Sequence, residues 1–346
     1  MTNVGVAKQE KKPGVIGRYL ARNRATDNYL IKKDASRVLS GIFIVILLFG
    51  LCFLILQPLL HQFSNSIMSR EDLFDPTVIA IPRTPTFANY RTAMSLMNYW
   101  STLFSSVLIT FLVAALQIVA CTLVAYGFAR FEFPLKRFWF ACVILTVIIP
   151  PQIIRAPMFL NFHFFDLFGL ITLIFGQPLQ LTGQLGGYAL LSATAMGLRN
   201  GLYIFMLRQY FRNMPKELEE SAWVDGCGKL RTFVQIMLPD AVPMLVSCFL
   251  FAFVWQWTDG FYTNMFLSDY GIMAVEMSSL GDVFNSYYIR MVIAAVGSGH
   301  GVSPPVALVE AMISTGVLIG IAPIILIYLV AQRFFVESIG QSGIKM

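Results

Sequence analysis

Charge is scarce in this chain: Asp, Glu, Lys and Arg make up 13% of 346 residues, while hydrophobic residues make up 57%. Water-soluble domains carry about a quarter charged and about 45–50% apolar residues, so that class is excluded and a membrane protein is the default. Cysteine is sparse too. Of the five, Cys52, Cys121, Cys142 and Cys248 lie in apolar runs as small packing residues, and Cys227 lies in a polar stretch. With no CxxC pair and no Cys/His cluster, a disulfide scaffold and a metal or redox site are excluded. Ionisable groups inside the apolar runs are nearly missing: Asp259 and Glu310 fall near run ends, and His61, His163 and His300 fall between runs. A proton relay of the kind an ion-coupled secondary carrier uses therefore lacks members. There is no G-x-x-x-x-G-K-[ST] loop to cradle phosphates and no HExxH or GxSxG, so no catalytic residue is assigned and the chain is not read as an enzyme.

What is present is a series of long apolar runs. A helix rises about 1.5 Å per residue and the hydrocarbon core is about 30 Å thick, so a crossing needs about 20 apolar residues. Six stretches meet that length: Val38–Leu60, Thr102–Phe128, Phe138–Met158, Tyr188–Leu207, Ala241–Phe261 and Ala307–Ala331. The expected fold class is all-α, a polytopic membrane protein with six transmembrane helices. Its organisation would be a basic N-tail (1–37), a first helix (38–60), an external loop (61–101), a core of five further helices (102–331) with a loop at 208–241, and a C-tail (332–346). Lys and Arg stay on the cytoplasmic side of a span. Nineteen of them fall in the segments that six crossings put inside, and four fall outside, at Arg70, Arg83, Arg91 and Arg290. Both termini are therefore expected in the cytoplasm. The net charge of +6 is accounted for by this topology against an anionic inner leaflet, so lipid and not nucleic acid is the expected partner of the basic residues.

The loop at 208–241 carries the strongest local signal. Pro215 suits a first helical position, and Glu217, Glu219 and Glu220 set negative charge against the positive end of the helix dipole. Gly226 supplies a stop, and Lys229–Met237 can form a second short helix that Pro239 ends. Leu218, Ala222 and Trp223 share a face that such a small unit cannot bury, so it lies on headgroups or docks into a groove of another protein.

The order Glu220-Ser221-Ala222, Asp225-Gly226, then Ile236-Met237-Leu238-Pro239 resembles the EAA loop of ABC-importer permeases, with Ser221 in place of an alanine. Pro82 to Tyr90, ending Thr-Phe-Ala-Asn-Tyr, is similar to an external stretch of the maltose-type carbohydrate-uptake branch. Ala125-Tyr126-Gly-Phe-Ala-Arg130-Phe-Glu-Phe133 is similar to its A-Y-x-x-A-R-F-x-F span end, and Gln332-Arg-Phe-Phe-Val336 to its tail, with Glu337-Ser338 departing from the usual R-G. The resemblance covers roughly residues 80–346; the N-tail and the Gln- and Gly-rich stretch near 173–187 exceed it. It implies the type I ABC importer permease fold in a bacterial inner membrane. It also implies a separate ABC ATPase that binds ATP and Mg, a second permease subunit and an extracytoplasmic solute-binding protein, with a sugar, oligosaccharide or polyol as cargo. Glu217, Glu220, Ser221, Ala222, Asp225, Gly226, Gly228, Leu238 and Pro239 would then couple to the ATPase.

Two places are candidates for the substrate pathway. Arg199 and Asn200 interrupt the fourth apolar run near its middle, where a polar group is tolerated if it meets water or substrate. A later or bent start of that helix would leave them near the outer surface. Trp255, Trp257 and Asp259, in a stretch similar to the family's F-x-x-x-W-N, combine aromatic faces with hydrogen-bonding groups that suit a sugar, although boundary aromatics look the same.

Overall fold

In the computed structural model, which describes residues 29–297 and 302–343, the apolar runs become helices whose interruptions matter as much as their lengths. Most of the basic N-tail, His300 and Lys345 lie outside the described residues. The helices are α1 (Tyr29–Ile67), α2 (Arg70–Phe74), α3 (Ala88–Leu96), α4 (Tyr99–Arg130), α5 (Lys136–Ile148), α6 (Arg155–His163), α7 (Leu170–Phe175) and α8 (Leu185–Ala193). They continue with α9 (Asn200–Asn213), α10 (Glu217–Val224), α11 (Lys229–Thr232), α12 (Leu238–Asp240), α13 (Val242–Trp257), α14 (Phe261–Phe266), α15 (Met273–Val296) and α16 (Val306–Gly343). No strand occurs among the described residues; a lone antiparallel bridge joins Phe165 and Leu179.

Three helices are long and apolar enough to cross a membrane unbroken, within Lys32–Ile67, Tyr99–Arg130 and Val306–Val330. The third expected span is bent by 99° between α5 and the turn that leads into α6, whereas the fifth begins as α13 and is entered from the α11–α12 segment of the loop through a 75° bend. Prolines explain both bends: Pro150 and Pro151 follow α5, and Pro243 opens α13. Proline lacks the N–H that would continue the ladder. The fourth expected span is two helices, α8 and α9, separated at residues 194–199, with Ala195 (φ 55°) and Arg199 (φ 58°) both left-handed. Between the fifth and sixth expected spans stands a further helix, the 24-residue α15.

The chain divides at residue 61/62 into two units. The first contains α1 up to His61, whose apolar residues point outward on every side, with Leu39 and Ile55 each 70% exposed. A helix apolar all round needs lipid or another subunit around it. In the second unit α4 is the central post, packed by α8, α9 and α13, while α16 packs on α13, α15 and α3. Close approach is possible where side chains are absent. A Cβ added to Gly201 of α9 would lie 2.6 Å from the Val143 carbonyl oxygen and 2.5 Å from Thr146 Oγ1 on α5. On α16, Gly316 and Gly320 receive the side chains of Leu280 and Met277 from α15, a small-xxx-small seam. Gly201→Val is therefore expected to pry α9 from α5 at a cost of about 1–3 kcal/mol, read as a lower melting temperature of the detergent-purified protein; an unchanged melt would show that the two helices are not in close contact.

The inserted region near 173–187 is tied down locally. Leu181 N–H donates to the Phe162 carbonyl (2.8 Å) and Gly183 N–H to that of Met265 (3.1 Å). Tyr188 of α8 stacks on Phe266 of α14 (centroids 5.7 Å apart), in a second apolar cluster that also takes in Ile109 and Val113 of α4.

Candidate functional site

The loop between α9 and α13 is a small built object. Helix α10 starts at Glu217, two residues beyond Pro215, and ends in a glycine-terminated turn. Gly226 adopts φ 82°, the Gly226 N–H donates to the Trp223 carbonyl (3.1 Å) and the Cys227 N–H to the Ala222 carbonyl (2.9 Å). The second helix differs from expectation. Lys229–Thr232 is α-helical, Phe233–Met237 is π-helical, and one more turn passes through Pro239 before the bend into α13. A π turn inserts a residue into the ladder and re-aims the chain beyond it.

One face of α10 is held from within. Glu219 is 5% exposed; its Oε1 accepts the Tyr126 hydroxyl at 2.9 Å, and Arg130 Nε lies 3.4 Å from its Oε2. Arg130 also donates from Nη2 to the Met214 carbonyl (2.9 Å), so the end of α4 grips both the entry and the first turn of α10. Phe211 and Phe233 pack edge-on or tilted against the Tyr126 ring at 5.5 and 4.6 Å. Tyr126 and Arg130 are four residues apart, hence on one helix face, which is why the A-Y-x-x-A-R spacing exists.

The residues chosen from sequence divide around this anchor. Ala222 is buried and Leu238 half-buried, whereas Glu217, Glu220, Ser221, Asp225, Gly226, Gly228 and Pro239 are exposed. Beside them stand uncovered apolar side chains: Trp223 is 49% exposed, Val224 88% and Leu230 75%. Glu219, absent from the sequence-derived set, is the acidic residue of the three that turns inward; the partner motif in α4 was its available signal.

The second group is split in the same way. Arg199, at the α8–α9 break, is exposed and stacks its guanidinium over the Trp255 ring, 3.7 Å from the centroid. Both line a cavity of about 580 Å3 together with Gln152, Thr258, Asp259 and Phe261. Asn200, by contrast, is 5% exposed and accepts a hydrogen bond from Gln117 Nε2 inside the bundle. Gln117 also donates to the Leu198 carbonyl (2.5 Å) and accepts from Gln256 Nε2 (2.8 Å), and Gln256 accepts from the Tyr188 hydroxyl. This network joins α4, α8, α9 and α13 and holds the break in shape. Trp257 is 3% exposed and donates from Nε1 to the Gly320 carbonyl on α16 (3.1 Å). Asp259 is 7% exposed, and its carboxylate accepts the N–H groups of Phe261 and Tyr262, each at 3.0 Å, which starts α14. Asn200 and Trp257 thus stand in the walls, while Arg199 and Trp255 face the cavity.

A helical chain with long apolar spans and a short glycine-terminated loop helix between two of them defines a multi-pass membrane protein. Residues 117–339, more than half of the chain, match the family of binding-protein-dependent transport system inner membrane components, and the chain belongs to that family. It is an ABC importer permease subunit and not an enzyme. It is 25% identical over 289 residues to the polygalacturonan/rhamnogalacturonan transport system permease protein of Bacillus subtilis, covering 83% of this chain and 92% of that one. It is 23% identical over 318 residues to the arabinooligosaccharides transport system permease protein of Halalkalibacterium halodurans, covering 91% and 100%. Its fold is similar to that of a chain in a bacterial ABC transporter involved in the import of the acidic polysaccharide alginate, with a TM-score of 0.63, 19% identity, and coverage of 87% of this chain and 98% of that one.

Proposed function

We propose that this permease subunit passes a sugar, oligosaccharide or polyol from an external solute-binding protein into a bacterial cytoplasm by alternating access. A second permease subunit would complete the pathway, and a separate ATPase holding ATP and Mg would drive it. The cargo class is supported by relatives named as permeases for polygalacturonan and rhamnogalacturonan and for arabinooligosaccharides. Six crossings are supported by the three unbroken helices and two bent pairs, with α8 and α9 as the remaining broken crossing. The distribution of Lys and Arg supports both termini in the cytoplasm.

The observation that carries the coupling role is the two-sidedness of α10: Glu219 is buried against α4 and Ala222 is buried beside it in the helix, while Trp223 and Val224 face outward. Such a helix is a lever seated at one end. Movement of an ATPase groove around Trp223 would reach α4, α9 and α13 through a rigid joint and not a slack loop. Uncovered aromatic side chains of this kind dominate docking energies. Co-purification of the tagged chain from membranes should recover an ATPase and a second permease. Trp223→Glu should cut ATPase recovery about tenfold or more, and Gly226→Val, which strains a left-handed position, should do likewise. Recovery of the chain alone, together with substrate uptake that needs no ATP, would overturn the importer reading.

A further inference from the structure

We infer that the cavity beside Arg199 selects an acidic cargo, a sugar bearing a carboxylate or phosphate group. This rests on the importer reading above. Arg155 and Arg199 are the two Lys or Arg residues of the chain that fall inside its predicted apolar spans. Cations inside a membrane protein face a cavity or a partner, because lipid cannot solvate them. Arg199 stands about 13–14 Å along the helix from Arg208, which puts it near mid-membrane when Arg208 marks the inner boundary.

The two arginines belong to adjoining spaces. Arg199 lines the cavity of about 580 Å3 and Arg155 a second of about 480 Å3; Gln152 lines both. Each guanidinium is steadied by an aromatic ring and not by a counter-charge: Arg199 lies over Trp255 at 3.7 Å, and Arg155 over Phe261 at 5.7 Å. Neither forms an ion pair within 4.0 Å among the described residues. The carboxylate in the lining, Asp259, is already used: it accepts two backbone N–H groups, each at 3.0 Å. Across the two adjoining spaces two arginines face one carboxylate, an excess of one positive charge, and the guanidinium edges are open. A guanidinium held by its face presents its N–H fork edge-on, the geometry that grips a carboxylate or phosphate in a bidentate manner. Trp255 and Phe261 supply faces on which a sugar ring can lie. Backbone geometry adds to the assignment. Arg199 occupies a left-handed conformation, unfavourable for a side-chain-bearing residue, and the buried Gln117–Asn200 network holds it there.

The test is ATP-driven uptake by the complete importer in proteoliposomes, with its binding protein present throughout. Two radiolabelled cargoes are compared: a uronate-containing oligosaccharide, and the same compound with its carboxyls reduced to alcohols. Wild type should take up the acidic compound, and Arg199→Gln should lower its apparent affinity about tenfold to a hundredfold. Arg199→Lys should retain part of it, Arg155→Gln should show a smaller loss, and the complex should still assemble. Equal loss of uptake for both cargoes, or unchanged acidic uptake in the Arg155/Arg199 double variant, would overturn the inference. So would a disrupted assembly in Arg199→Gln, which would mean that the cation pairs with a neighbouring subunit. Absence of ATP-driven uptake of any solute, with the chain purifying alone, would instead reject the importer reading.

Discussion

Arg130→Ala should be among the most damaging single substitutions in the chain. Its side chain and that of Glu219 are each 7% exposed. Removing one partner of a buried ion pair leaves the other charge desolvated and uncompensated, which costs about 3–5 kcal/mol. Here the abandoned group is a carboxylate with one remaining donor, the Tyr126 hydroxyl. The Met214 carbonyl also loses its donor. The result should be a markedly lower melting temperature of the purified complex, and ATP hydrolysis no longer matched by uptake in whatever protein survives.

A compensating variant separates stability from coupling. Replacing both charges, with Arg130→Met and Glu219→Leu together, removes the desolvation penalty and should restore most of the stability, since apolar substitutes for a buried pair are often neutral. Transport should stay impaired if the pair transmits movement from α10 to α4. Full recovery of transport in the double variant would show the pair to be a packing device alone, and an unaffected Arg130→Ala protein would show that it contributes neither.

Gln117→Leu is the second substitution expected to have a large effect. Membrane hydrogen bonds average only about 0.6 kcal/mol in double-mutant cycles, because the reference state finds other partners. One lost bond would therefore be minor. Gln117 is different because it is fully buried and serves Leu198, Asn200 and Gln256 at once. Leucine would leave each of them short of a partner. Asn200 Nδ2 and Ser192 Oγ already lack a protein partner, so the site has little spare capacity. With about 1–3 kcal/mol for each abandoned buried group, a total of several kcal/mol is expected. Thermal unfolding measures that cost, and uptake assays measure the loosened α8–α9 break. A change below about 1 kcal/mol would mean that water replaces the lost bonds and that the network does not hold Arg199 in place.

Both predictions rest on contacts that join distant parts of the chain, and such contacts are where the sequence stops being readable. Composition and run length alone establish a multi-pass helical membrane protein, because hydrocarbon demands about 20 apolar residues per crossing regardless of what surrounds them. The loop at 208–241 was legible for a similar reason. Its proline, acidic first turn and Gly226 act within a few residues of where they stand, and helix ends are local events.

The fourth run shows the opposite case. Residues 188–207 read as one apolar stretch, yet they fold as two helices, because Ala195 and Arg199 adopt left-handed conformations and Gln117, 81 residues before Leu198, captures its carbonyl. Nothing in the run itself announces that partner. Likewise, three glutamates crowd the first turn of α10, and only tertiary structure decides that Glu219 faces Tyr126 and Arg130 while Glu217 and Glu220 stay outside. The same holds for Trp255 and Trp257: two residues apart on a helix, they point in different directions, so one reaches the cavity and the other the Gly320 carbonyl. Local sequence set the helices, their caps and their bends, since those depend on near neighbours and solvent. Which polar side chains became walls and which became lining was decided by packing, because burial and hydrogen bonding depend on residues the chain brings together only when folded.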